Sequence, residues 1–317
     1  MRFTRRTLAA ALALASVAGF ASNASAADPK PKVALVMKSL ANEFFRTMED
    51  GAKAHQKAHA SEYTLVANGI KDETDTAAQI KMVEQMVAQR VQAIVIAPAD
   101  SKALVPTLKA AADKGVLIIN IDNKLDADAL ASKDFKVPFV GPDNRSGAKL
   151  VGDYLGKTLK SGDKVAIVEG VSTSFNGQQR TLGYQDAMKA VGVTVVGVQS
   201  GQWEIDKANT VASAMLRETP DLKAILAGND SMALGIVAAV KSAGKTGKVA
   251  VVGYDNIAAL KPMLKDGRVL ATADQFAAKQ AVFGIEIALK AIAAKQKQSD
   301  LPAEVKTDVV LVTKDTK

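Results

Sequence analysis

The stretch Val33-Ala34-Leu35-Val36-Met37 runs directly into Lys38-Ser39-Leu40-Ala41-Asn42-Glu43-Phe44-Phe45, and this junction decides the fold class. Five consecutive apolar residues are typical of a strand that is buried on both faces of a parallel sheet. In open α/β sheets, ligands bind beyond the carboxyl ends of such strands. Here that end carries an ammonium group, a carboxamide and two phenyl rings, which together suit a small polyhydroxylated ligand.

Apolar runs alternate with helical patterns along the whole chain, and this alternation predicts an α/β fold with parallel sheets and helices on both faces. The predicted strands are 33–37, 63–68, 93–96, 117–121, 138–141, 164–169, 193–199, 223–227, 249–254, 269–273 and 308–312. The first helix shows the 3.6-residue period, because Phe45, Met48, Ala52, His55 and His59 fall on one stripe.

A chain of 317 residues usually divides into two domains, yet no proline- or serine-rich linker separates two halves. We therefore expect the chain to cross between two domains more than once. Candidate crossings are Gly141-Pro142-Asp143-Asn144, Gln275-Phe276 and the stretch near Pro302.

The amino terminus has the features of a secretory signal peptide over residues 1–26. Arginines at positions 2, 5 and 6 precede the apolar run 8–20, and Ala24-Ser25-Ala26 is a small-residue cleavage site. Export to the periplasm is therefore expected, through the general pathway or, given the Arg5-Arg6 pair, through the twin-arginine pathway. No later run is long enough to span a membrane.

Charge and composition exclude several classes of function. Removal of residues 1–26 would lower the formal net charge from +8 to +5, and the basic residues are spread along the chain, which does not indicate nucleic-acid binding. There is no cysteine, so thiol catalysis and cysteine-ligated metals are excluded.

Polar clusters follow many of the predicted strands. They are Asp122-Asn123-Lys124, the loop with Ser172, Ser174, Asn176, Gln178 and Arg180, Gly228-Asn229-Asp230, Tyr254-Asp255-Asn256 and Asp274-Gln275. Each cluster taken alone also fits helix N-caps. Asp230 and Ser231 are expected to cap the helix that follows, and Asp143 and Asn144 fit a cap or a crossover turn better than a ligand contact. Aromatic residues are only 4% of the chain, yet Phe44, Phe45, Trp203 and Tyr254 all lie at or just past strand ends.

Motifs for catalysis are weak. His55 and His59 have a spacing that suits two metal ligands on a helix, but Gln56 stands where a zinc protease needs glutamate, and packing histidines are the better interpretation. The segments 170–174 and 244–246 depart from a nucleophile elbow and from a phosphate-binding loop. Composition does not exclude that Asp122 and Asp255 act as an acid/base pair. We expect no enzyme activity, no metal and no cofactor.

The chain resembles periplasmic sugar-binding proteins of the ribose-binding type, which are receptors of ABC importers. The motifs that carry this resemblance are Asn42-Glu43-Phe44-Phe45, Asn229-Asp230-Ser231-Met232-Ala233-Leu234-Gly235, Val252-Gly253-Tyr254-Asp255 and Asp274-Gln275. The resemblance implies two flavodoxin-like lobes, joined by a three-stranded hinge, that close on a ligand. The implied lobes are residues 33–142 with 276–303 and residues 143–275 with 304–317.

The resemblance also implies which residues face the cleft between the lobes. They are Asn42, Phe44, Phe45, Asp122, Arg180, Trp203, Asn229, Tyr254, Asp255 and Gln275, to which we add Lys38, Asn123 and Gln178 at positions where ribose binders carry other residues. These departures favour another pentose or hexose, or a sugar alcohol, over ribose. A membrane permease is the implied partner, and a monomer is expected. A periplasmic sensor for chemotaxis or for an autoinducer is the alternative function, with a chemoreceptor as partner.

Overall fold

The computed structural model describes residues 30–316, so the predicted signal peptide lies outside the described residues. Within this range the chain forms two lobes, each built on a six-stranded sheet with helices on both faces. No helix in residues 30–316 has the length and apolar character needed to cross a membrane. The predicted fold class, with two Rossmann-like lobes, is confirmed.

The first lobe contains the strands and helices that precede residue 143. Its strands and helices in this range are β1 (Lys32–Met37), α1 (Glu43–Ala58), β2 (Thr64–Gly69), α2 (Thr76–Ala88), β3 (Ala93–Ile96), α3 (Val105–Asp113), β4 (Leu117–Ile121), α4 (Ala127–Ala131) and β5 (Phe139–Pro142). The second lobe follows with α5 (Asn144–Gly156), β6 (Lys164–Glu169), α6 (Phe175–Ala190), β7 (Thr194–Ser200), α7 (Ile205–Glu218), β8 (Ala224–Ala227), α8 (Asp230–Ser242), β9 (Ala250–Val252), α9 (Lys261–Lys265) and β10 (Ala271–Asp274).

The remaining elements return to both lobes. They are α10 (Ala277–Ala293), β11 (Glu304–Thr307) and β12 (Val310–Thr313). Helix α10 packs on α1 and on strands of the first sheet. The strand orders are β11-β5-β4-β3-β1-β2 in the first sheet and β12-β10-β9-β8-β6-β7 in the second. All neighbours are parallel except β10 and β12, which are antiparallel.

The apolar runs of the sequence form the centres of both sheets. The run Val33–Met37 is fully buried in β1, which lies between β2 and β3. A strand inside a parallel sheet is covered by helices on both faces, so both sets of alternating side chains must be apolar. The carboxyl ends of the strands in the two sheets therefore carry the polar residues, and these ends face each other.

The chain crosses between the lobes after Pro142, around Gln275 and after Thr307. The last crossing corrects the expected lobe boundary at 303/304. Residues 304–307 form β11, which pairs with β5 in the first sheet, and only β12 joins the second sheet through β10. Strand β11 was missed because Glu304-Val305-Lys306-Thr307 has a single strongly apolar residue, as an edge strand allows.

Candidate functional site

A cavity lined by buried side chains lies between the lobes, where the carboxyl ends of the two sheets meet. The empty space between its walls is about 220 Å³, which includes space open to solvent. The wall residues are Lys38, Asn42, Phe44, Phe45, Glu73 and Asp122 from the first lobe, Asn176, Arg180, Trp203, Asn229 and Asp255 from the second, and Gln275 at a crossing.

The first-lobe wall is organised by a buried ion pair. Nζ of Lys38 lies 2.9 Å from Oε2 of Glu73, and the two side chains are 3% and 1% exposed. Glu73 was not predicted as a site residue. It lies in the loop after β2, and Lys71-Asp72-Glu73 at the end of that strand is the signal that could have found it.

Asn42 joins the two lobes at the edge of the cavity. Its Oδ1 accepts a hydrogen bond from the backbone N–H of Phe44 at 3.0 Å, which caps α1, and another from Oγ of Ser231 in the second lobe at 3.2 Å. Its Nδ2 donates to Oε1 of Glu73 at 3.0 Å. Asn42 therefore positions the wall and contributes to closure.

The second-lobe wall is organised by Arg180. Its Nε donates to Oδ1 of Asn144 at 2.8 Å, and its Nη1 donates to the carbonyl of Gly228 at 3.0 Å and to Oδ1 of Asp255 at 3.4 Å. The guanidinium carbon lies over the ring of Tyr254, 3.8 Å from its centroid, so the two groups make a cation–π contact. These contacts hold the Arg180 guanidinium group in place on the cavity wall, and they leave its Nη2 atom without a hydrogen bond.

Aromatic rings flank the cavity from opposite lobes. Nζ of Lys38 lies 5.5 Å from the centroid of Phe45 and 5.2 Å from that of Trp203. Trp203 has a left-handed backbone, with φ of +67°, and its ring lies directly against Gly170, where a β-carbon would collide with it. The absence of a side chain at Gly170 therefore sets how far the indole ring reaches into the cavity.

Three buried polar atoms of the wall have neither a hydrogen-bond nor an ion-pair partner among residues 30–316. They are Oδ2 of Asp122, Nη2 of Arg180 and Nε1 of Trp203. An unpaired buried polar atom costs about 1–3 kcal/mol, and proteins rarely keep such atoms without a reason. One acceptor and two donors thus converge on the same small space.

The charges of the wall are unbalanced. Glu73, Asp122 and Asp255 face Lys38 and Arg180, so the fully ionised wall carries one excess negative charge. Burial raises the pKa of each of the three carboxyl groups, and the nearby cations oppose this rise. A wall of this kind disfavours an anionic ligand and accepts hydrogen bonds from hydroxyl groups.

The structure places three of the predicted site residues outside the cavity. Gln178 is exposed and donates to the carbonyl of Ser172, because it lies on the outer side of α6. Tyr254 lies behind Arg180, as described above. Asn123 is turned toward the lobe interface, where its Oδ1 accepts from the backbone N–H of Asn176 at 3.2 Å. The remaining predicted residues line the cavity together with Glu73 and Asn176.

The lobes meet through helix caps that cross the interface. Ser174, the N-cap residue of α6, makes no side-chain capping bond, and the first N–H groups of that helix donate instead to first-lobe side chains. Phe175 N lies 3.0 Å from Oγ of Ser101, and Asn123 accepts from Asn176 N. Helix N–H groups need such acceptors, so closure satisfies them.

Two expectations about caps had different outcomes. Asp143 caps α5 by accepting from the backbone N–H of Ser146 at 3.0 Å, as expected. The cap of α8 is Asn229, which accepts from Met232 N at 2.9 Å, and not Asp230 or Ser231. Asn229 uses its oxygen in this cap, so its amide nitrogen is the group left for a ligand.

The histidines pack against neighbouring side chains. Nδ1 of His55 lies 2.9 Å from the hydroxyl of Tyr63, and the rings of His55 and His59 are stacked with centroids 4.4 Å apart. Within residues 30–316 no group of three or more potential ligands is placed to hold a metal ion.

Known proteins are similar to this chain over nearly its whole length. Residues 33–296 match the family described as the periplasmic binding protein domain. A D-ribose/D-allose-binding protein from Pseudomonas aeruginosa is 63% identical over 315 residues, which cover 98% of this chain and 99% of that protein. The chain belongs to the periplasmic binding protein family, and the predicted resemblance to its sugar-binding members of the ribose-binding type is confirmed.

Solved structures agree with this assignment. An ABC transporter solute-binding protein from Burkholderia multivorans, with an unknown ligand described as alpha-D-erythrofuranose, has 70% identity and a TM-score of 0.89 over 90% of this chain and all of that chain. A periplasmic solute-binding protein of an ABC transporter from Actinobacillus succinogenes, with bound D-allose, has 37% identity and a TM-score of 0.84 over 90% of this chain and 98% of that chain.

Proposed function

We propose that this protein is the periplasmic receptor of an ABC importer and that it closes around one neutral monosaccharide, with D-allose and D-ribose as the leading candidates. The single observation that carries the proposal is the convergence of unpaired Asp122 Oδ2, Arg180 Nη2 and Trp203 Nε1 on one cavity. A sugar hydroxyl both donates and accepts, so it can satisfy the carboxylate and the two N–H donors alike.

The charge of the wall supports a neutral ligand. A sugar acid or a sugar phosphate would bring a negative charge beside Glu73, Asp122 and Asp255, and Lys38 is already neutralised by Glu73 at 2.9 Å. Transfer of an unpaired charge into such a buried site is costly. Neutral hydroxyl groups meet no such penalty, and hydrogen bonds to the charged wall are worth about 1.5–3 kcal/mol each.

The rings of Phe45 and Trp203 account for the apolar part of recognition. They come from opposite lobes, so we propose that a sugar ring lies between them and that both faces are covered only after closure. A micromolar dissociation constant needs about 8 kcal/mol of net binding free energy. Several charge-assisted bonds together with two covered ring faces are sufficient for this.

The relatives named above support the choice of sugar. D-Ribose and D-allose share the configuration at carbons 2, 3 and 4, and D-allose has one further carbon, so one wall can serve both. D-Glucose differs from D-allose only at carbon 3 and is therefore the matched control. Allitol, the open-chain alcohol of allose, tests the expectation of a sugar alcohol.

A thermal-shift series with these four compounds and a disaccharide tests the proposal. A ligand at 100 times its dissociation constant adds about 2.7 kcal/mol to the free energy of unfolding. We expect a shift of about 5–10 °C for D-allose or D-ribose, a smaller shift for D-glucose and none for the disaccharide. No shift with any of the four small compounds would refute the proposed function.

Two substitutions test whether the cavity is the binding site. Asp122→Ala and Asp255→Ala should each weaken binding by about 30- to 150-fold in titration calorimetry, since each removes about 2–3 kcal/mol of hydrogen bonding to a charged group. Asp221→Ala is the control, because Asp221 is exposed and pairs with Lys164 on the outside of the second lobe. Unchanged affinity in both cavity variants would refute this assignment.

The partner implied by this function is a membrane permease that recognises the closed form. Sensing of the same sugar for chemotaxis would use the same closed form, and it stays a prediction, as does the monomeric state. Sugar uptake and taxis by a strain that lacks the gene would separate transport from sensing.

A further inference from the structure

We propose that Asp230 is a positioning residue, which holds the turn Tyr254–Ile257 in the conformation that places the Asp255 carboxylate on the cavity wall. The inference deepens the proposed function and rests on it, because Asp255 is one of the proposed sugar-binding carboxylates. Asp230 itself does not line the cavity.

Asp230 is fully buried at the start of α8 and contacts the turn at several points. Its Oδ2 accepts a hydrogen bond from the backbone N–H of Ile257 at 3.0 Å, and its Oδ1 accepts from Oγ1 of Thr272 at 2.7 Å. Oγ1 of Thr272 in turn accepts from the backbone N–H of Asn256 at 3.4 Å. One carboxylate therefore fixes two consecutive amides of the turn.

The backbone of the same turn needs such support. Asp255 has φ of +121° and Asn256 has φ of +56°, and both lie in the region that favours glycine. Such residues cost about 1–3 kcal/mol each and persist only where the surroundings determine them. Gly253 precedes the turn, and a β-carbon there would collide with Oδ1 of Asp230, so the carboxylate lies directly against the backbone.

The turn connects this buried carboxylate to the cavity. Oδ1 of Asp255 accepts from Nε2 of Gln275 at 2.7 Å and from Nη1 of Arg180 at 3.4 Å. If the turn relaxed toward ordinary backbone angles, the Asp255 carboxylate would leave these donors and the wall. A cap role at α8 does not account for Asp230, because Asn229 already makes that cap.

Two variants separate this role from general stability. Asp230→Asn keeps the shape of the side chain but removes one acceptor, and Thr272→Val removes the relay to Asn256 without changing charge. We expect Asp230→Asn to weaken D-allose binding about tenfold in titration calorimetry, and Thr272→Val to weaken it less. Asp221→Asn, on the surface of the same lobe, should leave the affinity unchanged.

A double-mutant cycle provides the decisive measurement. If Asp230 acts through Asp255, then Asp230→Asn should cost little further affinity in an Asp255→Asn background. Hydrogen exchange of the sugar-free protein should show faster exchange at Asn256 and Ile257 in Asp230→Asn.

Additive losses of affinity, or unchanged exchange at these amides, would overturn the positioning role. The exchange measurement does not depend on the sugar. Failure of the wild-type protein to bind D-allose or D-ribose would refute the proposed function separately, and with it the role of Asp230 in sugar binding.

Discussion

Glu43 crosses the interface between the lobes and should hold the closed form. Its Oε1 accepts from the backbone N–H of Ala258 at 2.7 Å and its Oε2 from that of Ala259 at 3.2 Å, although Glu43 belongs to α1 of the first lobe. These bonds cannot persist when the lobes separate. A hydrogen bond to a charged group is worth about 1.5–3 kcal/mol, but this pair is partly exposed, so we assign about 1–2 kcal/mol to both bonds together.

This free energy converts directly into affinity. Since the sugar is held by the closed form, Glu43→Ala should raise the dissociation constant about 5- to 30-fold, with most of the change in the release rate. Titration calorimetry and stopped-flow fluorescence of Trp203 measure the two quantities. Glu49→Ala is the matched control, because Glu49 lies on the same helix and pairs only with exposed Lys53. Equal affinities for the Glu43→Ala and wild-type proteins would refute the reasoning.

Three further predictions concern the cavity and its supports. Glu73→Gln replaces the 2.9 Å ion pair of Lys38 by a contact with a neutral amide, but Asp122 still faces that ammonium, so chemical denaturation should show a loss of about 1–3 kcal/mol in the free energy of unfolding. An unchanged or increased free energy of unfolding would contradict this. Gly170→Ala pushes the Trp203 ring toward the cavity and should weaken sugar binding more than tenfold. Adding Trp203→Phe to this variant should restore part of the affinity measured by calorimetry. No recovery of affinity would count against the proposed contact between Gly170 and Trp203. Burial raises the pKa of Asp230 to about 7 from 3.8, so folding favours its protonated form. The free energy of unfolding of the wild type, relative to that of Asp230→Asn, should therefore fall by up to about 4 kcal/mol as the pH rises from about 4 to about 7. Parallel plots of the free energy of unfolding against pH for the two proteins would show that the pKa is not raised.

Much of the site could be predicted because its residues follow strand ends. Phe45 and Asp122 are separated by many residues in the sequence, but each comes directly after a buried strand or in the helix that follows one. Parallel strands bring all their carboxyl ends to one edge of a sheet, so the pattern predicts that strand-end residues lie together, and the family resemblance implied which of them face the cleft. The resemblance to a known family supplied the pairing of the two lobes.

The errors come from side-chain direction and from long-range pairing. Gln178 and Arg180 lie on the same helix, two residues apart, and such residues point to different sides of a helix, so only Arg180 reaches the cavity. Asn123 was expected to bind the ligand, but the backbone of α6 in the other lobe uses its oxygen. Neither result follows from residue type.

The sequence by itself determined the α/β class and the strand ends that carry polar residues, because apolar runs and helical periods depend on neighbouring residues. The division into two lobes followed from chain length and from the family resemblance. Tertiary structure alone decided that Glu73 pairs with Lys38, that Asp230 supports the turn of Asp255, and that residues 304–307 join the first sheet. These arrangements join segments far apart in the chain, and their free energies come from burial and from hydrogen bonds that exist only once both lobes have packed.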